Sequence, residues 1–170
     1  PYQGAAGLAA LEAKPTATAT VAIGRSQIGT RQFKADEVLA GTSVAGGDRD
    51  VVVGDVIARS GDTLTVRGAS LLRKDGTFTF RDTLTVTMAA GTKVRRQAVI
   101  TAGLTKDDVS VGQRIAAFGS LDAGTNSLDA TAGLVRTLVT SVAGTVNLTG
   151  AGSLEMNVQR IDGRRIALFN

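Results

Sequence analysis

Residues Val51 to Gly68 read VVVGDVIARSGDTLTVRG, two short β-branched runs on either side of Ser60-Gly61-Asp62. Val51, Val53, Leu64 and Val66 recur at a spacing of two, and the small, φ-tolerant residues between the runs suit a tight connection, so a β-hairpin is expected here. The pattern returns near the C-terminus, where Gly144, Val146, Leu154 and Met156 match Gly54, Val56, Leu64 and Val66 at one offset of 90 residues. A second echo, at an offset of 95, relates Gly24, Gly29, Phe33 and Ala35 to Gly119, Gly124, Leu128 and Ala130. The middle of the chain therefore reads as a whole unit, the head as the end of such a unit, and the tail as its beginning. RIDGRR at Arg160 to Arg165 stands where RKDGTF stands at Arg73 to Phe78.

The elements follow from alternation and turn residues. In the head, TATATVAIG (Thr16–Gly24) reads as a strand, and RQFKADEVL (Arg31–Leu39) as its return, with a bulge near Asp36. The middle unit continues from its hairpin through Leu71 and Leu72 to a turn at Lys74-Asp75-Gly76. Strands are expected at Thr77–Phe80, Leu84–Met88 and Val94–Thr101. Thr105 caps a helical turn at Lys106-Asp107-Asp108-Val109 that Gly112 ends. Gln113–Leu121 and Ser127–Val135 then form a last strand pair around a turn at Asp122 to Asn126.

Five or six curved antiparallel strands with one late helical turn predict a small barrel of OB-like plan. The expected fold is all-β, with two small antiparallel OB-like barrels. One is continuous over residues 46–139, and one is assembled from residues 16–45 and 140–170, after a leader or docked arm at 1–15. A lone strand pair is marginal in water, so head and tail should close within one chain or pair with another copy.

Composition limits the chemistry. The chain of 170 residues has 43% apolar and 20% charged residues, the balance of a globular protein, and no apolar run long enough to span a bilayer as a helix. With 21 Gly and only 2 Pro, it suits many short strands joined by tight turns. The absence of Cys and His excludes disulfides, thiolate or His-based nucleophilic catalysis, and zinc sites of the usual kind. The net charge of +4 is a mild bias compatible with a polyanion or an anionic surface. The opening at Pro1, without initiator Met or signal-like segment, suits a trimmed or mature form.

Gly54-x-Val56, Leu64-Thr65-Val66, Asp108-Val109-x-Val111-Gly112 and Gly119 to Leu128-x-Ala130 together resemble a bacterial family of unknown function. Its members are extracytoplasmic small β-barrel domains, often in tandem, carried by secreted proteins and lipoproteins. The resemblance covers most of Val51 to Val135 and, in pieces, both ends. It implies an architecture and an extracytoplasmic setting (periplasmic, lipid-anchored or secreted), and it transfers no catalytic residue.

Several constellations have a functional and a structural reading. Asp48 and Asp50, or Asp107 and Asp108, suggest oxygen ligands for calcium, but neither pair fits an EF-hand loop, and turn or helix capping is the commoner use. Gly41 to Gly47 is Gly-rich but lacks the Lys-Ser/Thr of a phosphate loop and reads as a linker, and no SxxK motif supports a Ser-Lys hydrolase. A carboxylate-based hydrolase would need two convergent acids in a cleft. Lys93, Arg95 and Arg96, with Arg73 and Lys74 and the pair Arg164-Arg165, are candidates for a polyanion-binding or single-stranded nucleic-acid-binding face. Phe78, Phe80 and Phe118 sit at alternating positions where core packing is the default. The expected role is a non-enzymatic binding or structural module without cofactor or metal. Its partner would be an unknown protein or envelope component, and a homodimer through the terminal strands is possible.

Overall fold

The computed structural model describes residues 3–41, 44, 47–97 and 103–170. An α-helix at Gly4–Glu12, with no residue buried, precedes a chain made of strands. The head hairpin is β1 (Thr20–Gln27) and β2 (Gln32–Ala40), followed by a meander of β3 (Asp50–Ser60), β4 (Thr63–Leu72) and β5 (Phe78–Thr87). A short β6 (Lys93–Arg96) leads to the pair β7 (Arg114–Asp122) and β8 (Ser127–Thr137). The tail is β9 (Val142–Gly150), β10 (Ser153–Ile161) and the two-residue β11 (Arg164–Arg165). The all-β expectation holds. No helix among the described residues is long and apolar enough to cross a membrane.

The middle strands lie in the order β5-β4-β3-β7-β8-β6, and β5 also pairs with β8, so five strands form a closed ring. Two pairings at β8 are parallel, with β5 at Thr85 to Thr87 and with β6 at Lys93 to Arg96, where antiparallel strands were expected throughout. A hairpin imposes antiparallel neighbours, but β8 meets strands reached through a long connection, which permits the other direction.

Leu64, Val66, Leu84, Val86, Ile115 and Leu128 fill the ring together with Val52 and Val56 of β3. A register shift between Val53 and Asp55 puts an extra residue on β4 near Gly68, so that Leu64 and Val66 on one side of it and Ala69 and Leu71 on the other all face inward. On β3 plain alternation turns Val52 and Val56 inward, while Val51 joins Ala116, Phe118 and Leu134 in a second, smaller cluster. The spacing-two pattern of Val51 and Val53 thus marks the outer face of the strand. Gly61 turns β3 into β4 at φ +56°, a conformation that L side chains rarely adopt.

Other boundaries differ from the expected ones for local reasons. Leu71 and Leu72 belong to β4, and β5 runs unbroken through Arg81-Asp82 because its whole length pairs with β4. Phe118 is buried, but Phe78 and Phe80 are 55% and 69% exposed and meet each other edge to face at 4.9 Å, because the first half of β5 lies on a solvated face. The head strand starts at Thr20 rather than Thr16. Of the strand expected at Val94–Thr101, β6 accounts for the start and residues 98–102 lie outside those described, as do residues 42, 43, 45 and 46 of the Gly-rich segment. The helical turn forms at Lys106–Asp108. Thr105 accepts from the Asp107 N–H, and Asp108 Oδ2 accepts from the Thr105 N–H at 2.8 Å.

Head and tail form two separate sheets, β1-β2 and β11-β10-β9, and among the described residues no ladder joins them. The barrel expected from residues 16–45 and 140–170 is thus not closed inside a single chain. The tail is held against the middle unit instead: Arg164 Nε donates to Asp55 Oδ2 at 2.6 Å, and the Asn170 N–H donates to the Ile57 carbonyl at 2.7 Å.

A side chain on Gly119 would strike the carbonyl of Asp129 on the neighbouring strand, and one on Gly24 would strike that of Lys34 in the same way. Gly119→Ala should therefore cost the ring about 1–3 kcal/mol. Gly24→Ala should leave the ring within about 0.5 kcal/mol, because its clash lies in a sheet of its own. Denaturant unfolding followed by circular dichroism checks both, and equal losses would mean that head and ring fold as one unit.

Candidate interaction surface

Strand β3 carries two buried carboxylates, Asp50 and Asp55, each met by one arginine. Asp50 Oδ1 accepts from Arg73 Nε at 2.9 Å and from the Lys74 N–H at 3.0 Å, while Oδ2 accepts from the Leu121 N–H at 2.8 Å. This one side chain ties the β4–β5 turn and the end of β7 to the start of β3. Burial pushes the Asp50 carboxyl up, but the bonds from Leu121, Lys74 and Arg73 outweigh it and hold the group below the usual carboxylate range. Asp55 holds Arg164 of the tail, a contact that no short-range pattern could reveal because the partners are 109 positions apart.

Two further acids, Asp62 and Asp107, meet Lys106. Lys106 Nζ donates to Asp62 Oδ1 at 2.7 Å and to Asp107 Oδ1 at 3.0 Å, and these bonds raise the lysine and lower Asp107. Arg59 donates to the carbonyls of Lys106 and Val109, locking the helical turn against β3. Among the described residues, no group of three His, Cys, Asp or Glu side chains is arranged to hold a metal ion. A shallow hollow of about 140 Å³ is lined by Arg49, Ser120, Asp129 and Thr131 among others, with one carboxylate where a hydrolase pair needs two.

The basic residues are dispersed. Lys93, Arg95 and Arg96 lie on β6, where Lys93 and Arg96 are exposed and Arg95 donates to the Val94 carbonyl at 2.8 Å. Arg73 and Lys74 follow β4, and even by the shorter way round the closed ring β5 and β8 lie between β4 and β6. Arg73 is spent on Asp50 and Arg164 on Asp55, which leaves Lys74 exposed in a turn and Arg165 exposed on β11, far apart in the chain. Arg136, a cation absent from the expected set, is 9% exposed with its guanidinium 5.8 Å from the centre of the Phe118 ring. Burial pulls it below its ordinary value, against the opposing influence of Glu37 in the head.

The largest unpartnered feature is the pair of terminal hairpins. Each reproduces half of the ring in backbone detail. The pairs Val52–Leu71, Asp55–Arg67, Val56–Val66 and Ser60–Thr63 of β3 and β4 recur 90 residues on as Val142–Ile161, Thr145–Asn157, Val146–Met156 and Gly150–Ser153. Even the irregularity between Val56 and Ala58 is repeated, at Met156 opposite Val146. In the head, Arg25–Lys34, Ser26–Phe33 and Gln27–Gln32 stand where Ser120–Asp129, Leu121–Leu128 and Asp122–Ser127 stand in the ring. Beyond the bulge, Ala22–Val38 stands for Ala117–Val135, the ring having two more residues there. The apolar positions that are buried in the ring are open in the hairpins: Val146 and Leu154 are 57% exposed, Phe33 is 52% and Val38 is 44%. The sequence repeat could have flagged these faces; their exposure could not be read without the sheets. No family model matches the chain, and no curated protein or solved structure was found similar to it.

Asp50→Asn should destabilise the protein by about 1–3 kcal/mol at neutral pH, since the half-buried Arg73 guanidinium and the amide donors lose their charged acceptor. The native Asp50 is held below its unfolded value of 3.8, so its stabilisation is complete above that value and is lost as pH falls through the lower folded one. The difference between wild type and variant in denaturant unfolding should therefore be constant from pH 7 to 5 and shrink below pH 4.

Proposed function

We propose that the chain is a non-enzymatic binding or structural module of the bacterial envelope or exterior, built on an OB-like barrel. It acts through the strand edges and apolar faces of its two terminal hairpins. The observation that carries this reading is the contrast between a ring whose buried acids are spent on internal ties and hairpins whose apolar rows are open. The order of pairing around the ring, a three-strand meander, a parallel seam and a final antiparallel pair, supports the OB-like description. The extracytoplasmic setting rests on the family resemblance of the glycine and valine positions. The partner is a protein or envelope component that offers strands or an apolar surface, and a second copy of the chain qualifies.

A polyanion-binding reading has one observation in its favour: among the described residues, Lys93, Arg95 and Arg96 take part in no ion pair. Heparin and oligonucleotide columns separate the two readings. The module reading expects elution at low salt, unchanged by Lys93→Ala with Arg96→Ala. Retention that falls steeply with salt and disappears in that variant would replace it with the polyanion reading. Fractionation of the source bacterium tests the location, with recovery in the periplasmic, membrane-anchored or exterior fraction expected and purely cytoplasmic recovery contrary to it.

A further inference from the structure

We propose that the head hairpin of one copy docks on the tail hairpin of another in the register of the ring, so that β1 pairs antiparallel with β9 and a composite sheet β11-β10-β9-β1-β2 forms. This deepens the binding role proposed above by naming its partner as a second copy of this chain.

The ring supplies the template. Its strands run β5-β4-β3-β7-β8, and β3 meets β7 through pairs that include Val52–Ala117 and Val53–Ala116. The tail carries the β3–β4 half of that arrangement and the head carries the β7–β8 half, each with the pairing and bulge already in place. Transferring the pairs sets Val142 opposite Ala22 and Ala143 opposite Val21. Within the chain neither hairpin has the other as a ladder partner, and each leaves a strand edge and an apolar face in water.

The two halves also depart from the ring in a matched way. In the ring, Val51, Phe118 and Leu134 pack together on the outer side, with Val51 opposite Phe118 and Phe118 opposite Leu134. The tail replaces Val51 with Ser141, and the head replaces Leu134 with Glu37 opposite Ile23. Both polar changes fall on the same outer patch of the composite sheet, whereas Val142, Val146, Leu154, Ala22 and Val38 keep inward positions apolar, with Gln159 and Thr20 standing for the core residues Ala69 and Ile115. A face that turns polar on both sides of a seam while its inner side stays mostly apolar is what two halves of one solvated barrel wall require.

The absence of Cys makes the register directly testable in the full chain. Ala22→Cys and Val142→Cys are made in separate copies, mixed at high concentration and oxidised. The proposal expects loss of both monomers into a disulfide-linked dimer, no such loss when Ala22→Cys is mixed with Thr145→Cys, and a mass that rises with concentration in light scattering. Conversion no greater than that of the shifted pair overturns it. So does a doubly substituted chain that closes on itself in dilute solution as a monomer, since that would place both hairpins in one molecule. Either failure would leave the envelope location and the barrel itself standing, because neither depends on contact between copies.

Discussion

The ring depends on the seam between β5 and β8. A strand pair buries one side at best, and an open sheet of five strands would leave two unpaired edges. Where Thr85 to Thr87 meet Ser127 to Asp129 the edges vanish, and Leu64, Val86, Ile115 and Leu128 gain a common interior. The glycines follow from this closure. Gly54 and Gly119 lie where neighbouring backbones approach too closely for a Cβ, and each sits at an irregularity that bends its strand into the curve.

Much of this was legible in the residues. The hairpin at Val51 to Gly68, the capped turn at Lys106, the pair β7–β8 and both repeats could be read because they rest on local chemistry: a glycine turn, a Thr–Asp capping box, and alternating β-branched residues. The parallel seam could not, because strand direction at a long-range contact leaves no trace in periodicity. Nor could the exposure of Phe78 and Phe80, since alternation shows that two residues share a face without showing which face is wet. For the basic residues, sequence proximity misled. Arg73 and Lys74 are neighbours in the chain, yet one is drawn to Asp50 and the other points to solvent.

Strand β3 does more than pair. Asp50 anchors one end of the ring to the turn before β5 and to β7, and Asp55 anchors the tail through Arg164. Arg164 lies across Gly68, where a side chain would collide with the guanidinium. The buried charges are thus used to fix where turns and tail sit, and the open apolar surface remains in the hairpins.

A chain holding two versions of the same half-barrel faces a sorting problem while it folds, for the head could seat itself on β3 before β7–β8 arrives. Glu37 would weigh against that arrangement. At the place of Leu134 its carboxylate would stand opposite Ile23 on the face where Val51 is buried, away from the Arg136 guanidinium, a penalty of roughly several kcal/mol that the genuine pair does not carry. One acidic residue in a close imitation would thereby favour the genuine pair over the look-alike.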